Sequence, residues 1–292
     1  MIKMENICKT FHTFKLNHIS MELPKGYICG LIGENGSGKS TLMKILAGIY
    51  HMDSGQRTLA NMNYDENEVQ IKDIIGIVFD ECFFDKDLTP KAIGKLYGPL
   101  YTSFDERVYK ENLVRFQLNP KQKLGDMSKG MEMKLQLAFA LSHNAKIFLF
   151  DEPTASLDQE FREEFWRICA SLIEDGEKSI LISSHLTGDF DRRADYIAYL
   201  DHGELLFFET GEKLSEIFTL VKAENYKLRL IPKENMIHME EGEYGGIALV
   251  VGANRLNHDS AYTLAKPSLR EVMYHISRGG VTNAKAILQR NL

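Results

Sequence analysis

Apolar and polar residues alternate along the first 25 positions and stop at Pro24-Lys25-Gly26, so this stretch reads as strand closed by a turn. An unbroken apolar run follows, Tyr27-Ile28-Cys29-Gly30-Leu31-Ile32, the pattern of a strand covered on both faces in a parallel sheet. Beyond it a helix is predicted, with Leu42, Ile45, Leu46 and Ile49 on one side. Residues 53–60 read as a turn and short strand, and residues 74–79 as a second buried strand. From about Pro90 to Leu141 the period becomes helical, interrupted near Gly98-Pro99 and Asn119-Pro120. Residues 146–150 and 179–183 supply two more buried strands, separated by an amphipathic helix over 160–174. Repeated strand–helix alternation predicts an α/β fold, a mainly parallel sheet with helices on both faces.

After about Glu212 the pattern changes. Residues 226–231 and 246–251 read as strands of a small sheet, and residues 267–277 as a short helix opened by Pro267. The expected organisation is therefore a main domain over 1–210 and a small α+β accessory region over 211–292. From 211 onward there are 11 basic and 9 acidic residues, which leaves a net charge of −8 on the main domain.

Composition narrows the class. With 44% apolar and 26% charged residues, this 292-residue chain excludes disorder, a collagen-like repeat and a disulfide-stapled miniprotein. A net charge of −6 argues against a protein that binds by neutralising nucleic-acid phosphates, so no nucleic acid is expected as partner. Cys8, Cys29, Cys82 and Cys169 are scattered without a CxxC pair, which fits buried thiols in a reducing compartment better than zinc or disulfides. The opening MIKMENICKTF lacks a signal-peptide pattern, and no apolar run approaches the roughly 20 residues that cross a bilayer. The expectation is a cytoplasmic protein whose membrane part, if it has one, is another chain.

The chemistry concentrates in short motifs. Gly33-Glu34-Asn35-Gly36-Ser37-Gly38-Lys39-Ser40 fits the phosphate-loop pattern GxxxxGK[ST], and it lies between a strand and a helix as that loop requires. Its glycines let backbone N–H groups turn toward phosphate oxygens, Lys39 neutralises the β- and γ-phosphates, and the Ser40 hydroxyl can ligate Mg²⁺. Thr41 completes the set of expected nucleotide contacts. A chance match would arise in about one chain of this length in a hundred, and the flanking elements lower that further. Asp151-Glu152 ends the buried strand at 146–150, where ligands bind in parallel sheets. There Asp151 can hold Mg²⁺ and Glu152 can orient or deprotonate the attacking water.

With these motifs in order, the sequence resembles the ATP-binding cassette (ABC) ATPases over residues 1 to about 210. Met127-Ser128-Lys129-Gly130-Met131 resembles that family's signature LSGGQ, and Asp151-Glu152-Pro153-Thr154-Ala155-Ser156-Leu157-Asp158 resembles its acidic strand end and D-loop. Ser183-Ser184-His185 resembles its H-loop. The resemblance implies a phosphate-loop NTPase (RecA-like) core with an antiparallel β subdomain and a helical signature subdomain over about 85–140. It implies that two cassettes meet head to tail, with ATP between one phosphate loop and the other chain's Ser128 and Gly130, and that His185 senses the γ-phosphate. It further implies Phe11 as the adenine-stacking aromatic, with Phe14 second. Lys129 and Met131 depart from the family's Gly and Gln, while the kept Ser128 and Gly130 imply retained catalysis. Asp80 stands where the family places a glutamine touching Mg²⁺, so the resemblance implies a third carboxylate facing the metal.

Three roles compete: the energy-coupling subunit of a membrane transporter, a soluble ATPase acting on nucleic acid or the translation machinery, and a non-hydrolysing regulatory module. One cassette, no zinc cysteines and an acidic balance favour the first, and Glu152 with His185 disfavours the third. MSKGM and the tail Pro267-Ser268-Leu269-Arg270-Glu271-Val272-Met273 resemble bacterial exporters of peptides, antibiotics or lipids, including those of phenol-soluble modulins. The implied partners are one or two integral membrane subunits, contacted through Phe83, Phe84, Tyr97, Tyr101 and Phe104, and a second cassette, identical or a paralogue. ATP and Mg²⁺ are the expected ligands.

Overall fold

The computed structural model describes residues 1–252 and 262–291. The chain starts as a hairpin, β1 (Ile2–Thr10) and β2 (Lys15–Leu23), and then enters the apolar strand β3 (Ile28–Ile32), buried throughout. Helix α1 (Lys39–Leu46) follows, then β4 (Ser54–Leu59), β5 (Met62–Asn63), α2 (Glu68–Asp73) and β6 (Ile75–Val78). The helical part comprises α3 (Pro90–Tyr97), α4 (Glu106–Arg115) and α5 (Lys129–Ala140). Alternation resumes with β7 (Ile147–Asp151), α6 (Gln159–Ile173), β8 (Ser179–Ser184), α7 (Phe190–Arg193), β9 (Tyr196–Asp201) and β10 (Glu204–Thr210). Beyond lie α8 (Gly211–Ile217), β11 (Phe218–Ala223), α9 (Asn225–Leu228), β12 (Met236–Glu241), β13 (Gly246–Val251), β14 (Thr263–Ala265), α10 (Leu269–Gly279) and α11 (Val281–Asn291).

Three sheets result. The central one has the order β10-β9-β3-β8-β7-β6 and is parallel except for β10, while β2-β1-β4-β5 and β12-β13-β11-β14 are antiparallel. One face of the central sheet sends Leu31, Leu149 and Leu181 toward α1 and the first antiparallel sheet. The other sends Ile32, Phe150 and Ile182 toward the helices. This is the expected α/β class, with core, antiparallel part and helical part in the expected order. In the helical part Phe104, Tyr109 and Tyr101 pack edge-on or tilted around Phe139 of α5, at centroid distances of 5.2–5.9 Å.

Two expectations are corrected. Residues 226–231 form α9 and the turn after it, because Leu228 and Ile231, three apart, are the buried pair while Tyr226 and Leu230 are exposed. The strand of this region is β11 instead. Ile49 lies beyond α1, which ends at Leu46 as the chain turns through Gly48 in the left-handed region (φ +74°), and its side chain is exposed. Of the expected accessory region, residues 253–261 and 292 lie outside the described residues. The border at 210–211 falls between β10 and α8, and hydrophobic packing crosses it: Phe218, Leu249, Val272 and Ile276 belong to one cluster with Phe165, Trp166 and Ile197. Ser268 and Glu271 form a capping box on α10, whose Leu269 N–H donates to Asp191 (2.9 Å).

Candidate nucleotide site

Strand order assembles the site. Parallel neighbours β3, β8, β7 and β6 all end on the same edge, so the loops after them meet there. Gly33, Lys39 and Ser40 follow β3, His185 follows β8, Asp151 and Glu152 close β7, and Asp80 follows β6. Ligands of open parallel sheets bind at such carboxyl ends.

In the phosphate loop, Gly38 takes φ +109°, and a Cβ there would lie 2.6 Å from Phe14 Cζ and 2.7 Å from Leu16 Cδ2. Gly33 (φ +154°) has the Leu200 carbonyl where a Cβ would stand. Both positions therefore demand glycine. No side chain caps α1, so its first-turn N–H groups keep their capacity for an anion. Ser37 is buried and its Oγ has no hydrogen-bond partner, an orphan that a phosphate oxygen would satisfy. Lys39 Nζ donates to the carbonyls of Gly33 (2.8 Å) and Glu34 (3.0 Å). Burial pushes the Lys39 ammonium below its ordinary pKa, and the charges of Glu152 and Asp151 oppose that shift.

Beside the loop is a cavity of about 590 Å³, lined by Phe11, Thr13, Phe14, Asn35, Gly36, Gly38, Lys39, Ser40, Thr41, Tyr50 and Glu152. Phe11 meets Tyr50 edge-on at 5.8 Å, and Lys9 Nζ stands 5.6 Å from the Phe11 ring centroid. The cavity thus sets two aromatic rings beside the phosphate loop.

Asp151 is buried and pairs in register with Ser183, whose hydroxyl donates to it. Glu152 adopts a left-handed backbone (φ +50°), a strained conformation held by its N–H donating to Ser183 O and Oγ, each at 3.1 Å. Its carboxylate accepts from the His185 N–H (3.0 Å) and the Ser184 hydroxyl (3.4 Å), and faces His185 Nδ1 at 2.9 Å. Glu152 and His185 are thus in contact, and Glu152 lines the cavity.

Ser128 and Gly130 do not line that cavity. Ser128 caps α5, its Oγ accepting from Met131 N (3.3 Å), and a Cβ on Gly130 would stand 2.8 Å from Ser156 O in the D-loop. Asp80 also stays outside the cavity lining, and its carboxylate is engaged 3.2 Å from Lys129 Nζ, which donates to the Asp80 carbonyl as well. Two of the three departures from the family pattern, Asp80 and Lys129, meet each other, a geometry the expected metal role of Asp80 does not anticipate.

Sequence reasoning missed Tyr50 and Thr13, since one aromatic and one hydroxyl carry no local signal. It also missed the contact of α10 with the phosphate loop, where Ser277 Oγ donates to Glu34 Oε1 (2.7 Å).

The pattern of the ABC transporter family matches residues 16–155. A lantibiotic transport ATP-binding protein of Streptococcus pyogenes is 29% identical over 75% of this chain and 96% of its own length. A bacitracin transport ATP-binding protein of Enterococcus faecalis is 30% identical over 70% of this chain and 68% of its own. A xylose import ATP-binding protein of Photobacterium profundum is also 30% identical, with this chain spanning 54% of its length. Among solved structures, a dimeric bacterial ABC transporter cassette superposes with a TM-score of 0.64 at 25% identity, over 72% of this chain and 98% of that one. A strand-ending phosphate loop, an acidic pair in contact with a histidine and a signature helix, in this order and on this sheet, agree with these relatives: the chain belongs to the ABC transporter family as an ATP-hydrolysing ATP-binding cassette.

Proposed function

We propose that this cassette powers export of a peptide, antibiotic or lipid-like substrate through a separate membrane-spanning subunit, by closing with a second cassette around ATP. The observation that carries the dimer is that Ser128 and Gly130 stand outside the cavity formed by their own phosphate loop. A second chain would bring its signature to this loop. The lantibiotic and bacitracin transport relatives support the substrate class.

In this reading Lys39 and the loop N–H groups hold the β- and γ-phosphates, and Phe11 with Tyr50 holds the base. Glu152 takes a proton from the attacking water while His185 holds the γ-phosphate. Ser40 and Asp151 would hold Mg²⁺, which neutralises phosphate charge when bound. Losing the γ-phosphate removes the contacts across the interface and releases it.

The membrane subunit would dock at the groove of about 180 Å³ lined by Ile49, Phe83, Phe84, Tyr97, Leu100, Tyr101 and Phe139. Phe83 (52% exposed) and Leu100 (72%) offer apolar surface at its rim. Among the described residues no helix is long and apolar enough to cross a membrane. The cassette then sits peripherally on the inner face of the cell membrane.

The test is a pull-down of tagged Glu152→Gln chain with Mg·ATP from detergent-solubilised membranes to capture the partner, then reconstitution of that partner with the wild-type chain in vesicles with the cassettes outward. Co-purification of a multi-span protein in stoichiometric amount, and ATP-dependent accumulation of labelled bacitracin in the lumen, is the expected result. Capture of ribosomes or nucleic acid would overturn the transporter reading. ATP-dependent loss of xylose or bacitracin from preloaded vesicles, toward the cassette side, would reverse the direction to import.

A further inference from the structure

The loop after β6 is tied to two elements by charge. Asp80 pairs with Lys129, the first residue of α5, and its neighbour Glu81 lies 3.8 Å from Lys44 of α1, the helix that opens at the phosphate loop. Three residues on, Phe83 and Phe84 line the apolar groove. Beneath these surface contacts a buried clamp fixes α5 to the end of β6. Gln136 accepts from the Phe79 N–H (3.1 Å) and donates to the Phe79 carbonyl (2.9 Å). Helix α5 is thus anchored twice to one short segment, at its middle by a buried pair of hydrogen bonds and at its first residue by a pair that water reaches.

That second anchor is breakable. The side chains of Lys129 and Asp80 are 46% and 60% exposed, so their attraction is screened and weak. A cation at the first position of a helix is also opposed by the helix dipole, so Lys129 needs an anion nearby. Asp80 supplies one charge. A triphosphate supplies several, and its oxygens accept the same charge-assisted hydrogen bond as a carboxylate.

We propose that Asp80 is a competitor for Lys129: it holds the lysine in the free cassette, and Lys129 leaves it for the triphosphate bound on a second copy's phosphate loop when two cassettes close. This rests on the dimer reading above, in which Ser128 and Gly130, either side of Lys129, face that nucleotide. Lys129 then binds the triphosphate directly and adds attraction across the interface. Asp80, by holding the lysine back, opposes closure.

The sign of the Asp80 effect decides the matter. Dimerisation of the hydrolysis-blocked Glu152→Gln chain would be followed by sedimentation at increasing ATP, alone and with Asp80→Asn, Lys129→Gln or Lys129→Arg added. Binding of a fluorescent ATP analogue to the dilute monomer is measured in parallel. Asp80→Asn is expected to lower the ATP needed for half-dimerisation by about two- to fivefold, the strength of an exposed pair. Lys129→Gln should raise it roughly tenfold or more, and Lys129→Arg should restore most of it. Monomer binding should not change. If Asp80→Asn weakens dimerisation as Lys129→Gln does, the pair is a static brace and the competition is refuted. Unchanged dimerisation in both refutes it as well. If the Glu152→Gln parent stays monomeric at saturating ATP, the dimer reading itself has failed and this inference with it.

Discussion

The Gln136 clamp predicts a measurable cost. Gln136 and Phe79 are both buried, and the side-chain amide satisfies both backbone groups of Phe79. Gln136→Met keeps the length and approximate volume of the side chain but removes donor and acceptor together. Each backbone group left buried without a partner costs about 1–3 kcal/mol, so the pair costs about 2–6 kcal/mol. The apolar gain of methionine offsets about 1–2 kcal/mol of this. The net expectation is a loss of up to about 5 kcal/mol, centred on about 2–3 kcal/mol, read as a lower urea midpoint with unchanged slope and a melting temperature lower by about 5–10 °C. Gln136→Glu gives an internal control. It retains an acceptor for the Phe79 N–H but sets a carboxylate against the Phe79 carbonyl, so it should be the worse variant at neutral pH. Acidification protonates the carboxyl and restores a donor, so its deficit relative to wild type should shrink as pH falls. ATP-driven dimerisation should weaken in Gln136→Met, because α5 carries the signature, while monomer nucleotide binding persists. A stability loss below about 1 kcal/mol, with dimerisation unaltered, would refute the clamp as the link between β6 and the signature helix.

Three further outcomes are expected. Glu152→Gln should cut ATP hydrolysis by about 10²–10⁴-fold, the usual contribution of a general base, while nucleotide binding by filter retention stays intact; hydrolysis within tenfold of wild type would assign the base elsewhere. Gly38→Ala forces a Cβ into the left-handed region against Phe14 and Leu16, so it should cost about 1–3 kcal/mol and abolish ATP binding, and calorimetric titration showing wild-type affinity would count against the loop geometry. In the C-terminal region, His238 Nδ1 and His275 Nδ1 are 3.0 Å apart, and burial pushes both below the ordinary histidine value of 6.5. The unfolded chain therefore takes up protons that the folded chain refuses, so this contribution to stability is complete above pH 6.5 and is lost as pH falls below it. His275→Gln should reduce the drop in urea midpoint between pH 7.5 and 5.5, and an equal drop in variant and wild type would remove the pair from the account.

What the sequence by itself determined is what contiguous residues encode. The phosphate loop needs φ values that glycine permits, a lysine and a hydroxyl, all within a few positions of one strand end, so its chemistry is written locally. Apolar runs such as Ile28–Ile32 and Ile147–Asp151 announce strands buried on both faces, and with them the α/β class. Where local pattern was ambiguous the reading failed. The segment 226–231 alternates well enough for a strand, but burial of Leu228 and Ile231 makes it a helical turn.

Only the tertiary structure decided which distant residues meet. Strand order sets Glu152 against His185, 33 residues on, and Lys129 against Asp80, 49 residues apart. The fold brings Ser277 onto Glu34 across 243 residues, which ties α10 to the phosphate loop. Such pairs leave no trace in short-range spacing, because their geometry depends on which strand lies beside which. The same limit applies to Asp80. The sequence could mark it as a carboxylate in a glutamine's place, and only the packing of α5 against β6 shows that a lysine, itself in a glycine's place, is its partner.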